Sequence, residues 1–361
     1  MPRAALLFFH GYTLSPFGFS RRDFLISGMI VLSDHNLRSG LYPFSATRHI
    51  AELRIGILTI REKWELLTGE EVRLVHEKIP EAVPANLLPD LENYTKILNG
   101  HVDGIPCISR PWHIPQRNQQ ALFNDFLLLT RNRVSAPIPN WVKVINPSML
   151  FVEKNAVINS SIINASMGPV YIGEDTEIME GCLIRGPFAM GRGSVLKMGT
   201  KIYGATTLGP HCTGGGEIKN SVLMGYSNKG HDGYLGDSVL GYWCNLGAGT
   251  SVSNVKNTGS DVWITLPGYQ KEQVGNKAGL IMGDYSRSAI NSAFSTGSMV
   301  GVCCSIHGHA QPKKDTPSFT WGEERYSFPK VLSDIANWKK MKGEDLSQEE
   351  MANLEELFKQ T

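Results

Sequence analysis

The sequence predicts a mainly β protein in which a three-sided parallel solenoid follows a small α/β domain and precedes C-terminal helices. Three observations predict this: a six-residue repeat of bulky apolar side chains, a clustering of glycine, and helical spacing near the end. Of the 37 glycines, most lie between Gly168 and Gly301. Because glycine adopts turn conformations that other residues resist, this clustering indicates many tight turns.

The repeat places a bulky apolar residue at every sixth position. Its first run consists of Ile172, Ile178, Ile184, Met190, Leu196, Ile202 and Leu208. A spacing of six fits neither the 3.6-residue period of a helix nor the two-residue alternation of a strand. It does fit a coil with three sides of six residues, in which the large residue of each side points inward.

The period slips around Gly214–Val222 and resumes at Tyr234, which places Tyr234 in an inward phase. Between later runs, Asn254–Gly279 interrupts the period with charged residues, proline and glycine, and this predicts a loop that leaves the coil. We assign the solenoid to residues 148–310.

The flanking segments differ from the solenoid in composition. Residues 29–140 mix apolar runs with Pro-Asp and Asn-Gly turns, which predicts a small α/β domain. Residues 321–361 have helical spacing, and Ser347 with Glu350 forms a capping box, so we expect helices that cap or bracket the solenoid. Residues 1–28 are interpreted as an extension or a mis-annotated start, with a targeting segment as the alternative.

Charge and cysteine usage exclude several classes of protein. Lys and Arg total 35 and Asp and Glu total 34, and this balance argues against binding to nucleic acid or an anionic membrane. No apolar run reaches the ~18 residues of a membrane span. The six cysteines are scattered without CxxC spacing, which predicts reduced thiols in the cytoplasm rather than disulfides or a zinc site.

A series of polar residues within Gly214–Asn257 resembles the acetyltransferase domain of the GlmU family. In order, it contains Lys219, His231, a Tyr-Leu-Gly-Asp stretch from Tyr234 and an Asn-Leu-Gly-Ala-Gly-Thr stretch from Asn245. GlmU enzymes acetylate glucosamine-1-phosphate and couple the product to UTP in UDP-N-acetylglucosamine biosynthesis. The resemblance implies a left-handed parallel β-helix of hexapeptide repeats, a homotrimer, and acetyl-CoA as co-substrate.

From residue 30 to the end, the chain is also similar to GlmU-like sugar nucleotidyltransferases of Bacteroidetes-type bacteria. The shared stretches include ELRIGILTIREKWE, GYSNKGHDGYLGD and PSFTWG. This resemblance implies a nucleotidyltransferase-like function for the α/β domain and an acyltransferase-like function for the solenoid.

The resemblance assigns a role to each residue of the acetyltransferase series. His231 is the candidate general base, because an imidazole titrates near neutrality. The backbone N–H of Ala248, which lies between two glycines, would stabilise the thioester oxyanion and contact the coenzyme. Lys219 and Tyr234 would bind the sugar phosphate, and Asn245 would orient the sugar. Each of three assignments has a structural alternative. Asn245 could form a ladder of stacked side chains at a corner inside the solenoid, and Tyr234 could pack in the core. Lys219 could be a solvated surface charge.

Two positions depart from the family pattern. Lys201 stands where a phosphate-binding arginine is expected, so the charge is kept but the bidentate geometry is lost. Asn254 would line the coenzyme channel, but the basic residue expected soon after it has no clear counterpart, since only Lys256 is nearby.

The α/β domain lacks the glycine-rich loop that holds nucleotide phosphates in nucleotidyltransferases. A basic series is the candidate substitute for binding UTP or dTTP, with an ordinary solvated surface as the alternative: Arg48, Arg54, Arg61 and Lys63. If nucleotidyl transfer occurs, Mg²⁺ is expected to neutralise the phosphates.

Two further classes were compared with an acyltransferase. A zinc hydrolase of the γ-carbonic anhydrase type needs two histidines five positions apart, but position 236, five after His231, is glycine. A sugar-nucleotide-binding or scaffold protein without turnover is favoured by the missing glycine-rich loop and opposed by the intact spacing of Lys219, His231 and Asn245. We therefore expect a transferase that uses a sugar phosphate and acyl-CoA, without a bound metal at the solenoid.

Overall fold

The computed structural model describes residues 25–26, 28–308 and 311–361. The interpretation of residues 1–28 falls almost wholly outside these ranges. Within them, parallel strands stack into a solenoid with three sheets, and helices occur mainly before and after it. The mainly β fold class is therefore confirmed, whereas the left hand of the coil stays a prediction from the resemblance.

The three sheets are named by what packs on them: the front part of the chain, the C-terminal tail, or neither. The front-facing sheet contains Leu150–Val152, Val170–Ile172, Phe188–Met190, Thr206–Leu208, Val222–Gly225, Val239–Tyr242, Ile281–Met282, Met299–Val300 and Asp315–Thr316. The tail-facing sheet contains Val157–Ile158, Glu177–Ile178, Val195–Leu196, Thr213–Gly214, Asn228–Lys229, Asn245–Leu246, Arg287–Ser288, Ser305–Ile306, Thr320–Trp321 and the antiparallel strand Glu324–Arg325. The open sheet contains Lys143–Ile145, Ile162–Asn164, Leu183–Arg185, Lys201–Tyr203, Glu217–Lys219 and Tyr234–Gly236, and beyond it lies the pair Ser251–Val252 and Ala293–Phe294.

The strand register confirms a coil with three sides of six residues. Glu177 pairs with Val195 and Leu183 with Lys201, each 18 positions further along the chain. The seven apolar residues of the first run are all at most 2% exposed. Burial of each large apolar side chain contributes about 1.5–3 kcal/mol, so this inward column is the main source of stability of the coil.

The slip in the repeat reflects shorter coils, and it changes which residue points inward. Glu217 pairs with Tyr234, only 17 positions on, and Ile218 with Leu235. Leu235 is fully buried, whereas Tyr234 is half-buried on the outer surface of the open sheet. The prediction of an inward phase at Tyr234 is therefore wrong, because the shortened coil shifts the inward position by one residue.

The segment Asn254–Gly279 leaves the coil, as predicted. It forms a hairpin of antiparallel strands, Val262–Ile264 and Glu272–Gly275. The solenoid resumes after it, since Val239 pairs with Ile281 across the insertion.

The front part of the chain forms a small mixed sheet with helices. Parallel strands Met29–Ser33, Glu71–Val75 and Val83–Pro84 are joined by the short antiparallel strand Leu25–Ile26. The α-helices are α1 (Ile60–Thr68), α2 (Tyr94–Leu98) and α3 (His113–Thr130). Short 3₁₀ helices occur at Arg38–Leu41, Phe44–Ala46 and Ile50–Glu52, and at Pro147–Met149 where the solenoid begins.

The front part packs directly on the front-facing sheet. Outward side chains of that sheet, such as Val222 and Ile281, belong to one hydrophobic core with Leu41 and Phe44. Asn118 of α3 lies in the same junction and donates a hydrogen bond from Nδ2 to the carbonyl of Ala205 at 2.8 Å. The front-facing sheet is therefore covered and has no free surface along this junction.

The C-terminal helices α4 (Phe328–Lys340) and α5 (Gln348–Gln360) bracket the solenoid. The capping box of Ser347 and Glu350 is present as predicted. The helices pack on a ladder of aromatic rings at the corner between the front-facing and tail-facing sheets, where Tyr226 and Trp243 stack with centroids 4.2 Å apart. Among the described residues, no helix has both the length and the apolarity needed to cross a membrane.

Candidate active site at a corner of the solenoid

His231 lies in the corner Gly230–Gly233, between the tail-facing strand Asn228–Lys229 and the open-sheet strand Tyr234–Gly236. The residue is exposed. Its imidazole makes no hydrogen bond or ion pair with any residue that the structure describes. Both ring nitrogens are therefore available to a substrate.

Glycines in the coil below allow this corner to stack closely. A Cβ atom on Gly215 would lie 2.5 Å from the carbonyl carbon of Gly230. Gly216 has a φ of +68°, and a Cβ atom there would lie 2.7 Å from the carbonyl oxygen of His231. Only glycine fits both positions without displacing the backbone, so these residues set the height at which His231 is presented.

Ala248 occupies the equivalent place in the next coil. Asn228 pairs with Asn245, 17 positions on, and the strand after the corner follows with the same offset, so the corner residue above His231 is Ala248. The carbonyl of Ala248 accepts the N–H of Asn291 at 2.7 Å. Its own N–H has no acceptor within the described part of the chain. The candidate base and the candidate oxyanion donor are thus neighbours in the stack.

Two unpaired lysines lie on the open sheet beside this corner. Lys201 and Lys219 stand on neighbouring strands, which pair as Lys201 with Glu217 and Tyr203 with Lys219. The Nζ of Lys219 lies 5.5 Å from the centroid of the Tyr203 ring, and the Tyr203 hydroxyl donates to the carboxylate of Glu217. Neither lysine forms an ion pair with a described residue. This surface offers two positive charges to an anion.

Tyr234 and Asn254 are brought together next to these lysines. The Asn254 amide donates to the Tyr234 hydroxyl at 3.2 Å and also to the carboxylate of Asp237. Burial, and secondarily the negative charge of Asp237, raises the pKa of Tyr234 to about 12. The phenol therefore stays protonated at neutral pH and can donate a hydrogen bond to a ligand oxygen.

Asn245 is placed differently from the other predicted residues. It lies on the tail-facing sheet, where Asn228 Nδ2 donates to Asn245 Oδ1 at 3.3 Å. The corner of His231 separates it from Lys219 on the open sheet. Within one chain, the structure brings together Lys201, Lys219, Tyr234 and Asn254 on one side of that corner and leaves Asn245 on the other.

The four basic residues predicted to bind a nucleotide already have partners. Arg48 Nε donates to Asp284 Oδ2 at 3.0 Å, Arg54 forms an ion pair with Glu62 at 3.4 Å, Arg61 forms one with Glu52 at 3.2 Å, and Lys63 pairs with Asp125.

Arg54 and Lys63 are almost fully buried, and burial lowers the pKa of Lys63 despite the attraction of Asp125. Arg54 also donates to the carbonyl of Met224 at 3.2 Å, on the front-facing sheet. In this structure these two side chains stabilise the fold at the junction, because buried charges need their partners. Nucleotide binding by the predicted basic series stays a prediction.

A polar group at the carboxyl ends of the parallel strands of the front part was not predicted from the sequence. Asp34 accepts from His76 Nδ1 at 2.8 Å, and His49 lies beside them. Together they form the one group of three possible metal ligands within the described residues. His49 Nδ1 accepts the N–H of Ala51 at 3.1 Å, so its Nε2 carries the proton that faces the carbonyl of Val75 at 3.0 Å. With no lone pair left on His49, the group does not fit a metal ion.

The comparisons with known proteins agree with both halves of the resemblance. Residues 30–90 match the family model described as sugar nucleotidyl transferase. A bifunctional sugar-1-phosphate nucleotidylyltransferase/acetyltransferase of Sulfurisphaera tokodaii is 30% identical over 214 residues, covering 58% of this chain and 46% of that protein. The bifunctional protein GlmU of Methanocaldococcus jannaschii is 32% identical over 109 residues, covering 30% and 26%. The chain thus spans less than half the length of these relatives.

Matches among solved structures include a hexapeptide transferase family protein from Anaplasma phagocytophilum and a UDP-N-acetylglucosamine acyltransferase. Each is 14% identical to this chain, and the match covers 61% of this chain and 87% of the other protein. The TM-scores are 0.18 and 0.23. Values this low carry no argument about function. The sequence relatives and the family model do confirm the predicted resemblance: the chain is similar to GlmU proteins, and its residues 30–90 match the sugar nucleotidyl transferase family model.

Proposed function

We propose that the solenoid transfers an acetyl or other acyl group from acyl-CoA to the amine of an amino-sugar phosphate of the glucosamine-1-phosphate type. The observation that carries this proposal is the stacking of His231 under Ala248 at one corner, with a cationic surface beside it. The named activities of the relatives from Sulfurisphaera and Methanocaldococcus support the same reaction class.

The chemistry requires no acyl-enzyme. The amine of the sugar attacks the thioester carbonyl directly, and the His231 imidazole accepts the amine proton. The N–H of Ala248 donates to the oxyanion of the tetrahedral intermediate. When that intermediate collapses, the C–S bond breaks, and the imidazolium returns its proton to the leaving thiolate of coenzyme A.

The open sheet would bind the sugar phosphate. Lys201 and Lys219 are two of its unpaired cations, and the protonated hydroxyl of Tyr234 adds a hydrogen-bond donor. Asn254, next to Tyr234, would face the coenzyme. Binding at this sheet places the amine of the sugar toward the corner of His231.

We further propose that a second copy of the chain completes the site, as in the homotrimer implied by the resemblance. The open sheet is not covered by the front part or by the helices, and it exposes Ile145, Ile162 and Leu183 by 39–47%. A neighbouring copy that buries these side chains would bring its tail-facing sheet, and Asn245, close to the lysines of the first copy.

The match of residues 30–90 favours a second activity, sugar-1-phosphate nucleotidyl transfer from UTP or dTTP. Ligands of open α/β sheets bind at the carboxyl ends of parallel strands, and here Asp34 and His76 lie at those ends. Since this group does not fit a metal, Mg²⁺ would arrive bound to the nucleotide phosphates. We place both reactions in the cytoplasm, where the six free cysteines would stay reduced.

Two assays test these proposals. Purified protein with glucosamine-1-phosphate and acetyl-CoA should release a thiol, and with UTP or dTTP and a sugar phosphate it should release pyrophosphate. If neither product forms while a sugar nucleotide still binds, the chain is a binding or scaffold protein. A mixture of Lys219→Ala and Asn245→Ala subunits should recover activity if copies share a site, because some interfaces then carry no substitution.

A further inference from the structure

Lys229 is a buried lysine that the proposed reaction does not use. It occupies the inward position of its tail-facing strand, where the next coil places Leu246 and the coil two below places Leu196, and it is 1% exposed. It forms no ion pair with any residue that the structure describes. Burying an ammonium group without a carboxylate is costly, so the position is unexpected for a purely structural core residue.

Its ammonium group instead donates to two backbone carbonyls. The Nζ atom lies 3.2 Å from the carbonyl oxygen of Gly215 and also donates to the carbonyl of His231. The two acceptors belong to corners of successive coils. Gly214, which pairs with Lys229, has no side chain and so leaves room for the lysine.

The carbonyl of His231 lacks a partner that the equivalent corner carbonyl has in three other coils. There it accepts a backbone N–H from the coil above, at 2.7–2.9 Å: Ser160 from Gly181, Glu180 from Gly199, and Ala248 from Asn291. The equivalent carbonyl of Met198 accepts no such N–H from the described residues either. No backbone N–H of the described residues donates to the carbonyl of His231. Lys229 therefore replaces a ladder hydrogen bond at the one corner that carries the candidate base.

The corner also needs an anchor because of its composition. His231 lies between Gly230 and Gly233, and Gly233 has a φ of +114°. Glycines lower the cost of alternative backbone conformations, so an unanchored corner would not fix the direction of the imidazole. Burial lowers the pKa of Lys229 to about 8, while the charge of Asp232 opposes this, so the ammonium is charged at neutral pH.

We propose that Lys229 is a positioning residue: its ammonium group ties the corner of His231 to the coil below and thereby fixes the imidazole relative to the N–H of Ala248. The inference rests on the proposed acyl transfer for its catalytic consequence, but the tie itself is a property of the fold. A misplacement of the base by about 1 Å is enough to cost roughly 100-fold in rate.

The test compares Lys229→Met with Lys197→Met. Methionine keeps the length of the apolar stem and removes the ammonium. Lys197 follows the inward Leu196 two coils earlier, is exposed, and serves as the matched control. Hydrogen exchange of peptides that cover residues 230–233 measures the corner without any substrate. Thiol-release kinetics separate kcat from KM, and Lys229→Gln, which keeps one donor, tests rescue.

We expect faster exchange confined to residues 230–233 in Lys229→Met, a fall in kcat of roughly 10- to 100-fold with nearly unchanged KM values, and partial recovery in Lys229→Gln. Exchange that is unchanged, or raised evenly along the whole solenoid, would overturn the proposal. If the wild-type protein has no acyltransferase activity, the proposed function fails, while the exchange result still decides the role of Lys229.

Discussion

His231 and Ala248 occupy the same corner position in successive coils, because the coils that carry them are in register at an offset of 17 residues. A proton acceptor and an anion-stabilising donor are thus held by rigid stacked backbone. The two lysines beside them, Lys201 and Lys219, form no ion pair with a described residue. This arrangement gives a separate expectation for each group.

Substitution of the open-sheet lysines should weaken substrate binding. We expect Lys201→Ala and Lys219→Ala each to raise KM for the sugar phosphate about tenfold, since one hydrogen bond to a charged group contributes about 1.5–3 kcal/mol. The effect should shrink as salt is added. Steady-state kinetics at two ionic strengths measure it, with Lys197→Ala as the exposed control. Equal KM values in all three variants would show that the phosphate binds elsewhere.

The inward position of Leu235 predicts a clear division of effects between two adjacent residues. Leu235→Ala should lower the free energy of unfolding by about 2–5 kcal/mol, because it leaves a cavity in the coil. Tyr234→Phe should change stability little and raise KM, because only an outward hydroxyl is lost. Urea unfolding and kinetics on both variants measure this. A large loss of stability in Tyr234→Phe would contradict the register.

The buried pair of Lys63 and Asp125 should behave as a structural unit. Each single variant, Lys63→Met or Asp125→Leu, should cost about 3–5 kcal/mol of unfolding free energy, because it leaves an unpaired buried charge. Asp125 also accepts the N–H of Ile57 at 2.7 Å, so the double variant should recover only part of the loss. A double-mutant cycle by urea unfolding measures the coupling. If Lys63→Met changed nucleotide affinity and left stability intact, Lys63 would contact nucleotide as the sequence suggested.

Stability should fall on mild acidification through His113. Burial, together with the charges of Arg117 and Arg110, lowers the pKa of His113 to about 4, against 6.5 in the unfolded chain, while Glu272 opposes the shift. The unfolded state therefore binds more protons between these values, so this contribution is complete above pH 6.5 and is lost as the pH falls toward 4.

His113→Asn tests this expectation, because its amide oxygen can still accept the N–H of Ser109, which lies 3.3 Å from His113 Nδ1. Between pH 7.5 and pH 5, the urea midpoint of unfolding should fall further in the wild type than in the variant. An equal drop in both proteins would show that another group controls the acid response.

The solenoid was predictable from sequence because its geometry repeats locally. One inward side chain per side of the coil produces the six-residue period directly, so the buried residues from Ile172 to Leu208 could be named without a structure. The acetyltransferase series was likewise visible as fixed spacings. The spacings did not show whether these residues share one side of the coil. Shortened coils change which residue points inward, as at Tyr234 and Leu235.

Contacts between distant segments were not predictable in the same way. Arg48 pairs with Asp284 across 236 positions, and no local pattern marks either residue for the other. The sequence does not mark Lys229 as buried on its own, and only the alignment of its position with the inward Leu246 of the next coil indicates that it is buried. His76 follows a strand that runs parallel to the strand before Asp34. A prediction that these two strands pair would have placed His76 beside Asp34.

The measurement that bears most directly on the proposed site is the ratio of kcat in His231→Asn to kcat in the wild-type protein, with glucosamine-1-phosphate and acetyl-CoA. The exposed His101 provides the matched control, His101→Asn. Loss of a general base should lower kcat by about 100- to 10,000-fold in His231→Asn and leave His101→Asn unchanged. Turnover in His231→Asn equal to that of the wild type would remove this corner of the solenoid from the reaction.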